Sequence, residues 1–336
     1  MRKIVCLATS PWYPIPTRKQ QVMSRIPDAE ILYFDPSVTY LAPLKDKAAR
    51  PGLSNYKKEG VHPQENITVY SLPPVLPFFY KFRWINKLNQ RRMARFVRRK
   101  MQAHGFTDAV LWVYSPVTAD LVDLVPHKGL VYDCVDRHSA YGGLMDPALV
   151  DRMELELAGK TDRTFATADA LAERLRAAQP NTVMIPNGAN FERFVQAAQP
   201  QPVPEDLRDI PHPIFGFVGA LQSCIEYDYL EAAAKARPDW SFVLIGKEKP
   251  GVDLTALHAM PNVHFLGLKP NEQLPQYLAH FDACLNLFAK SDLSKDVSPL
   301  KFYEYLATGR PIVSTRQPDQ ILQYAPLIEI ADSPEE

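Results

Sequence analysis

Short apolar runs alternate with amphipathic stretches along nearly the whole chain. In the first half the runs are KIVCLAT (3–9), EILYF (30–34), ITVYSL (67–72), AVLWVYS (109–115), GLVYDCV (129–135), TFATA (164–168) and TVMIP (182–186). Between the later ones, PALVDRMELELAGKT (147–161) and ALAERLRAAQ (170–179) carry helical spacing. The second half repeats the pattern with strands IFGFVGAL, SFVLIG, VHFLGL, ACLNLF, PIVST and LIEIA, and with helices expected around 226–237, 253–260, 271–281, 299–308 and 318–324. Continuous Val/Ile/Leu runs separated by helices imply α/β architecture with parallel sheets covered on both faces. One stretch breaks the pattern: VQAAQPQPVPEDLRDIPHP (195–213) has five prolines and no apolar periodicity, which reads as a linker. The expected organisation is two doubly wound, Rossmann-like domains, 1–195 and 214–336, joined by a Pro-rich segment at 196–213. Such sheets bind ligands at the carboxyl ends of their strands, so two facing domains would place a site in the cleft between them.

Composition narrows the chemistry. With 336 residues the chain has the length of two domains, and 46% hydrophobic with 23% charged residues is ordinary for a globular protein. Glycine is scarce at 14 and proline abundant at 31. No two glycines stand two positions apart, so G-x-G-x-x-G is absent, and so is G-x-x-x-x-G-K-[ST]. Both motifs bring backbone N–H groups up to phosphate on a Gly-rich turn, so a nicotinamide oxidoreductase or P-loop ATPase is disfavoured. Cys6, Cys134, Cys224 and Cys284 form no C-x-x-C pair and read as free thiols in a reducing compartment. No stretch approaches 18 apolar residues, and MRKIVCLATSPW runs straight into a strand pattern, so neither a spanning helix nor a signal peptide is expected.

The net charge of zero hides an asymmetry. Residues 1–100 hold 19 Lys/Arg against 6 Asp/Glu, and the remainder of the chain carries the opposite excess. Nine of residues 81–100 are Lys or Arg, and Phe78, Phe79, Tyr80, Phe82 and Trp84 stand at and just before the start of that stretch. Aromatic residues beside a basic helix, with Arg91, Arg92 and Arg95 in it, suit the interface of an anionic membrane; a solvated basic helix has the same pattern. No nucleic-acid-binding module accompanies the basicity, so nucleic acid is not expected as a partner.

The segment SPLKFYEYLATGRPIVS (298–314) carries the most chemistry. It follows a strand, opens a helix at Ser298-Pro299, and leads into a strand from Pro311. Ser298 suits an N-cap and Pro299 the first turn. Free N–H groups at the helix start, with Lys301 beside them, make an anion site, and Glu304 lies within reach of hydroxyls on the same ligand. A phosphate site with a carboxylate beyond it suits a nucleotide sugar. An ordinary capped helix with solvated Lys and Glu has the same spacing.

P-L-K-x-x-E-Y-x-A-x-G-x-P-I-V resembles the donor-binding signature of GT-B-fold glycosyltransferases, in particular bacterial enzymes of cell-surface polysaccharide assembly. The resemblance extends in order over most of the chain: Trp12 with TRKQQ (17–21), VYDCVD (131–136), IPNGANFERF (185–194), FGFVGAL (215–221) and FVLIG (242–246). It implies that Glu304 binds ribose hydroxyls and that Ser298, Pro299, Leu300 and Lys301 hold the diphosphate. It further implies that Leu266 and Gly267 meet the nucleobase through backbone atoms and that Gly219 lets backbone approach the donor phosphates. Three departures stand out. Asp296, followed by Val297, replaces the first of the two glutamates of many retaining members, Asn190 replaces an aspartate, and Asn286-Leu287-Phe288 precedes the donor loop.

Asp136, at the carboxyl end of GLVYDCV, matches the general base of related inverting members; an N-cap or a partner for Arg137 is the structural alternative. His138 is a second candidate base on the acceptor side, together with Trp12 and Arg18. Metal is not expected: the nearest string to D-x-D is Glu226-Tyr227-Asp228, which reads as the acidic first turn of a helix, and no cofactor beyond the donor is implied. The implied activity moves a sugar from a UDP- or GDP-sugar to a saccharide, by implication lipid-linked, by a cytoplasmic enzyme peripheral at the inner face of the plasma membrane. The rivals are a non-catalytic subunit of the same fold and a nucleotide-sugar 2-epimerase. The family continues with helices beyond the position of LIEIADSPEE, so the C-terminus is expected to be short or truncated.

Overall fold

The computed structural model describes residues 1–14, 17–140, 145–291 and 294–336. Two compact units are present, Met1–Ile185 and Pro186–Glu336.

In the first unit the strands are β1 (Arg2–Leu7), β2 (Ala29–Asp35), β3 (Val61–Gln64), β4 (Ile67–Ser71), β5 (Val110–Val113), β6 (Gly129–Cys134), β7 (Arg163–Ala166) and β8 (Val183–Met184). Its helices are α1 (Arg18–Met23), α2 (Ala42–Lys45), α3 (Arg83–Ala103), α4 (Pro147–Lys160) and α5 (Asp169–Arg176). The sheet order is β3-β4-β2-β1-β5-β6-β7-β8, parallel except for β3, which pairs antiparallel with β4. Every expected strand is present. β3 has no counterpart in the hydrophobic pattern, because VHPQ is an exposed edge strand with no apolar run, where Pro63 removes no interior ladder bond. Burial on both faces follows from alternation along β1: Val5 and Leu7 pack with Met93 and Val97 of α3, while Ile4 and Cys6 pack with Met23 of α1.

The second unit contains β9 (Ile214–Val218), β10 (Ser241–Ile245), β11 (Val263–Gly267), β12 (Ala283–Asn286), β13 (Ile312–Thr315) and β14 (Glu329–Ala331). It also contains α6 (Phe191–Phe194), α7 (Tyr227–Ala236), α8 (Thr255–His258), α9 (Leu274–Leu278) and α10 (Leu300–Thr308). Its sheet is parallel throughout, in the order β11-β10-β9-β12-β13-β14. β10 again alternates, with Val243 and Ile245 in one core layer and Phe242 and Leu244 in the other.

Two expectations on this half need correction. The helix expected at 318–324 is a 3-10 segment over Asp319–Leu327, and Pro326, which lacks a backbone donor, keeps its end from continuing as an α-helix. The chain divides after Ile185, ahead of the boundary expected at 195, and part of the expected linker is packed: Ala197 and Leu207 lie in the core beside Phe194. Proline richness marks irregular backbone, and irregular backbone can still cover a core.

Candidate functional site

In the second unit the chain order reverses between β9 and β12, which opens a crevice beyond their carboxyl ends. α10 follows β12 and lies at that point. Its buried positions, Phe302, Tyr305 and Thr308, recur at three-residue spacing and fix its inner face. The Tyr305 hydroxyl accepts a bond from the Val218 N–H at 2.7 Å and so ties the helix to the end of β9. Lys301 stands one turn earlier on the same side of the helix. Its Nζ lies 3.8 Å from the Phe217 ring centroid and 5.1 Å from that of Phe288. A Cβ on Gly219 would come within 2.8 Å of the same Nζ. The ammonium is therefore roofed by backbone and walled by aromatic carbon.

Burial lowers the Lys301 pKa to about 7, against the opposing influence of Cys224 and Glu304. Burial raises Glu304 to about 7, opposed by Lys301, Arg193 and a side-chain bond with Asn271. Arg193 in turn donates to the Asn271 side-chain oxygen. Two ionisable groups pushed toward neutrality one turn apart are costly to charge, and a ligand carrying an anion beside hydroxyl groups would relieve that cost.

Backbone geometry beside the pair suits close approach by a ligand. Gly219, Gly246 and Gly267, at the ends of the adjacent strands β9, β10 and β11, all have positive φ (148°, 158° and 67°). The Gly246 N–H donates to the Gly267 carbonyl at 2.9 Å, and a Cβ on Gly246 would lie 1.8 Å from the Gly219 carbonyl oxygen. No side chain fits there.

Ser298 departs from expectation. The N-cap is Pro299 and α10 begins at Leu300. Ser298 is buried and serves Asn187 instead: its Oγ accepts from the Asn187 N–H at 3.0 Å and its carbonyl accepts from Asn187 Nδ2 at 2.6 Å. The IPNG segment thus braces the loop that precedes the helix. Asp296 is buried in the 3-10 turn Ser294–Asp296 of that loop. Leu266 is half-buried against the core at the end of β11. Glu226 occupies the N-cap position of α7 without a side-chain cap bond and Asp228 lies in the first turn, and among the described residues no group of three His, Cys, Asp or Glu is arranged to hold a metal.

In the first unit Asp136 sits two residues beyond β6. The backbone leading to it is pinned: the Thr167 N–H donates to the Cys134 carbonyl at 3.1 Å, and the Thr167 hydroxyl donates to the Val135 carbonyl at 3.0 Å. Buried Lys19 faces it; burial lowers that ammonium's pKa, and the Asp136 and Asp133 charges raise it. His138 is buried, and burial keeps its pKa down, favouring the neutral imidazole. Two acceptor-side expectations turn inward. The Trp12 ring packs edge-on to Tyr33 at 4.9 Å within the core. Arg18 pairs with buried Asp133 at 3.2 Å, so its charge serves that carboxylate.

α3 carries the basic segment. Trp84 (63% exposed), Leu88, Arg91, Arg92, Arg95, Arg98 and Arg99 share its outer face. Phe78 is exposed, whereas Phe79 turns inward, packing on the core with its ring 4.4 Å from that of Tyr80. Arg92 lies on the ring of Tyr40, and the neighbouring Leu41 and Leu44 are also exposed.

Sequence reasoning missed Gly246, Asn271, Arg193, Asn187 and Lys19. A glycine ending the strand FVLIG was a usable signal for the first. The others come from separate segments and meet only through the fold.

The C-terminal unit matches the family model "Glycosyl transferases group 1" over residues 212–328. The chain is 25% identical over 231 residues to a Bacillus subtilis (strain 168) protein named as the teichuronic acid biosynthesis glycosyltransferase TuaH. That match takes in 65% of this chain and a little over half, 58%, of the relative. Among solved structures, sucrose-phosphate synthase from Thermosynechococcus elongatus superposes with a TM-score of 0.71 at 13% identity, covering 100% of this chain and 87% of that one. Anabaena Alr3699/HepE in complex with UDP and glucose gives 0.61 at 16% identity, covering 96% and 83%. The E. coli trehalose-6-phosphate protein bound with UDP-2-fluoro glucose gives 0.68 at 12%, covering 99% and 88%. The C-terminal unit thus carries a glycosyl transferases group 1 domain, and the chain is built on the GT-B glycosyltransferase fold.

Proposed function

We propose that the chain transfers a hexose from a UDP- or GDP-sugar to a saccharide acceptor, lipid-linked, in the assembly of a bacterial surface polysaccharide. The observation that carries this reading is the Lys301–Glu304 pair beneath Gly219, at the reversal of the second sheet. The nucleotide and sugar held by the HepE structure support a nucleotide-sugar donor, and the name of the B. subtilis relative supports a surface polymer. In this reading the diphosphate rests on Gly219, Lys301 and the first N–H groups of α10, and Glu304 takes the ribose hydroxyls. Leu266 and Gly267 meet the base through backbone, and Asp296 and Ser298 shape the loop around the phosphates. The Asp136 carboxylate removes the acceptor hydroxyl's proton as that oxygen attacks the anomeric carbon. The bond from that carbon to the diphosphate oxygen breaks, and Lys301 stabilises the charge that leaves with the nucleoside diphosphate. Lys301 and the helix start supply the positive charge, without a metal ion.

Glu304→Ala tests the site. A charged hydrogen-bond partner is worth about 1.5–3 kcal/mol, so UDP or GDP affinity should fall roughly 10- to 150-fold in titration calorimetry. Unchanged affinity in a folded variant would remove the assignment.

Acidity gives a second test. Lys301 must be charged to hold the diphosphate and Glu304 ionised to accept from ribose, and burial sets both near pH 7. Above that pH Lys301 loses its proton, and below it Glu304 gains one. Nucleotide affinity should therefore peak near pH 7 and fall on both sides, with proton uptake on the alkaline side. A profile flat between pH 5.5 and 8.5 would contradict it.

The outer face of α3 suits an anionic bilayer, which would place the enzyme at the inner face of the plasma membrane. At about 1 kcal/mol per basic residue near such a surface, four engaged arginines give measurable binding. Co-sedimentation with phosphatidylglycerol vesicles at low salt should be lost when Arg91, Arg92, Arg95 and Arg98 become Glu. Failure of the wild type to sediment would end the membrane reading.

A further inference from the structure

The first sheet also has an order reversal, between β1 and β5, and a cavity of about 140 Å³ opens there. It is lined by residues just beyond β1, β2, β4 and β5, among them Thr9, Ser37 and Val117, and is closed on one side by Gln90 and Met93 of α3. Among the described residues, no Lys, Arg, Asp or Glu lines it. Its size is close to the roughly 150 Å³ apolar cavity that holds one benzene ring.

Gln90 is 1% exposed, and its Oε1 is buried without a hydrogen-bond partner. A relay reaching back to the surface fixes that amide's orientation. Arg83 pairs with the Asp120 carboxylate, 3.0 Å away, and with Glu156 of α4. Asp120 can only accept, so Asn86 Nδ2 donates to it at 2.9 Å, and also to the Val117 carbonyl at 2.9 Å. Asn86 Oδ1 is thereby turned to Gln90, whose Nε2 donates to it at 3.1 Å. What Gln90 has left is its Oε1 acceptor beside the second N–H of Nε2, and a buried acceptor without a donor is costly.

We infer that this cavity binds one uncharged, hydroxyl-bearing ring of the acceptor, with its apolar face on Val117 and Met93 and a hydroxyl donating to Gln90 Oε1. A phosphate or carboxylate is excluded, because no cation among the described residues lines the cavity to offset the cost of burying it. A charged linkage of the acceptor therefore lies outside this cavity. This assignment rests on the reading of the chain as a glycosyltransferase only for the word acceptor, since ring binding stands without donor or turnover.

The test uses the full chain, carrying ¹³C-methyl methionine, without nucleotide. The probes are phenyl β-D-glucopyranoside, phenyl β-D-glucuronide and toluene, and the Met93 methyl resonance is assigned by Met93→Leu. The glucoside should shift the Met93 signal, and the glucuronide should bind at least tenfold more weakly. Gln90→Leu should weaken glucoside binding several-fold to about tenfold while leaving toluene binding unchanged. Val117→Phe, which fills the cavity, should abolish both. The inference is overturned by a silent Met93 signal at saturating glucoside, by equal binding of glucuronide, or by an unaffected Gln90→Leu. Loss of nucleotide binding elsewhere in the chain would sink the proposed activity and leave these results standing.

Discussion

Asp136→Asn should leave nucleotide affinity nearly unchanged while turnover falls by about 10²–10⁴, the usual worth of a positioned acid or base. Asparagine keeps the shape, and the Thr167 bonds that pin this backbone are untouched by the change, so the variant should fold. Lys19 sharpens the expectation. Its buried ammonium is held up in pKa by Asp136, so neutralising the carboxylate should make Lys19 easier to deprotonate. A purely structural role predicts the reverse pattern: a lower melting temperature and activity lost only in proportion to unfolded protein. A retaining mechanism, in which the leaving diphosphate assists deprotonation, predicts a mild effect. Should a well-folded Asp136→Asn protein keep more than about a tenth of its activity, both the base and the inverting mechanism it implies fall together.

Lys301→Met should move activity and stability in opposite directions. Removing a preorganised charge from a leaving group costs about 10²–10³ in kcat, and the stabilisation by UDP or GDP in thermal melts should shrink with it. The ammonium it removes is packed among Phe217, Phe288 and Gly219 on a half-buried side chain, where holding a charge is unfavourable. Methionine fills the same slot without that cost, so the free protein should melt at the same temperature or higher. A lowered melting temperature with a proportionate loss of activity would identify Lys301 as a packing element.

Alternation of apolar runs with helical spacing was enough to read both sheets, because each β-strand buried on two faces leaves a continuous Val/Ile/Leu signature, as in IVCL of β1 and FVLI of β10. It failed where structure is held by few apolar contacts, in the exposed edge strand β3, and where Pro-rich chain covers a core, around Ala197 and Leu207. At the candidate site the helix start, Lys301 and Glu304 were legible because they lie in one short segment. Their burial was not, since it comes from Phe217, Gly219 and Phe288 on other strands and loops. The packing of Trp12 was not legible either: the resemblance implies an acceptor-side place for it, and in the fold its ring fills space beside Tyr33.

The glycine row at the ends of β9, β10 and β11 bears on how such a site can change over generations. A surface made of main chain offers no side chain to exchange, and at Gly246 any larger residue would collide with the Gly219 carbonyl. With the row as the floor of the proposed donor site, substitution there would abolish binding without redirecting it. If a descendant of this protein came to prefer a different donor, the altered residues would have to lie around that floor, at positions such as the exposed Leu268 or at Asn271 and Arg193 beside Glu304. The floor itself would be inherited unaltered, and a comparison of diverged copies should find variation arranged as a ring around an invariant centre.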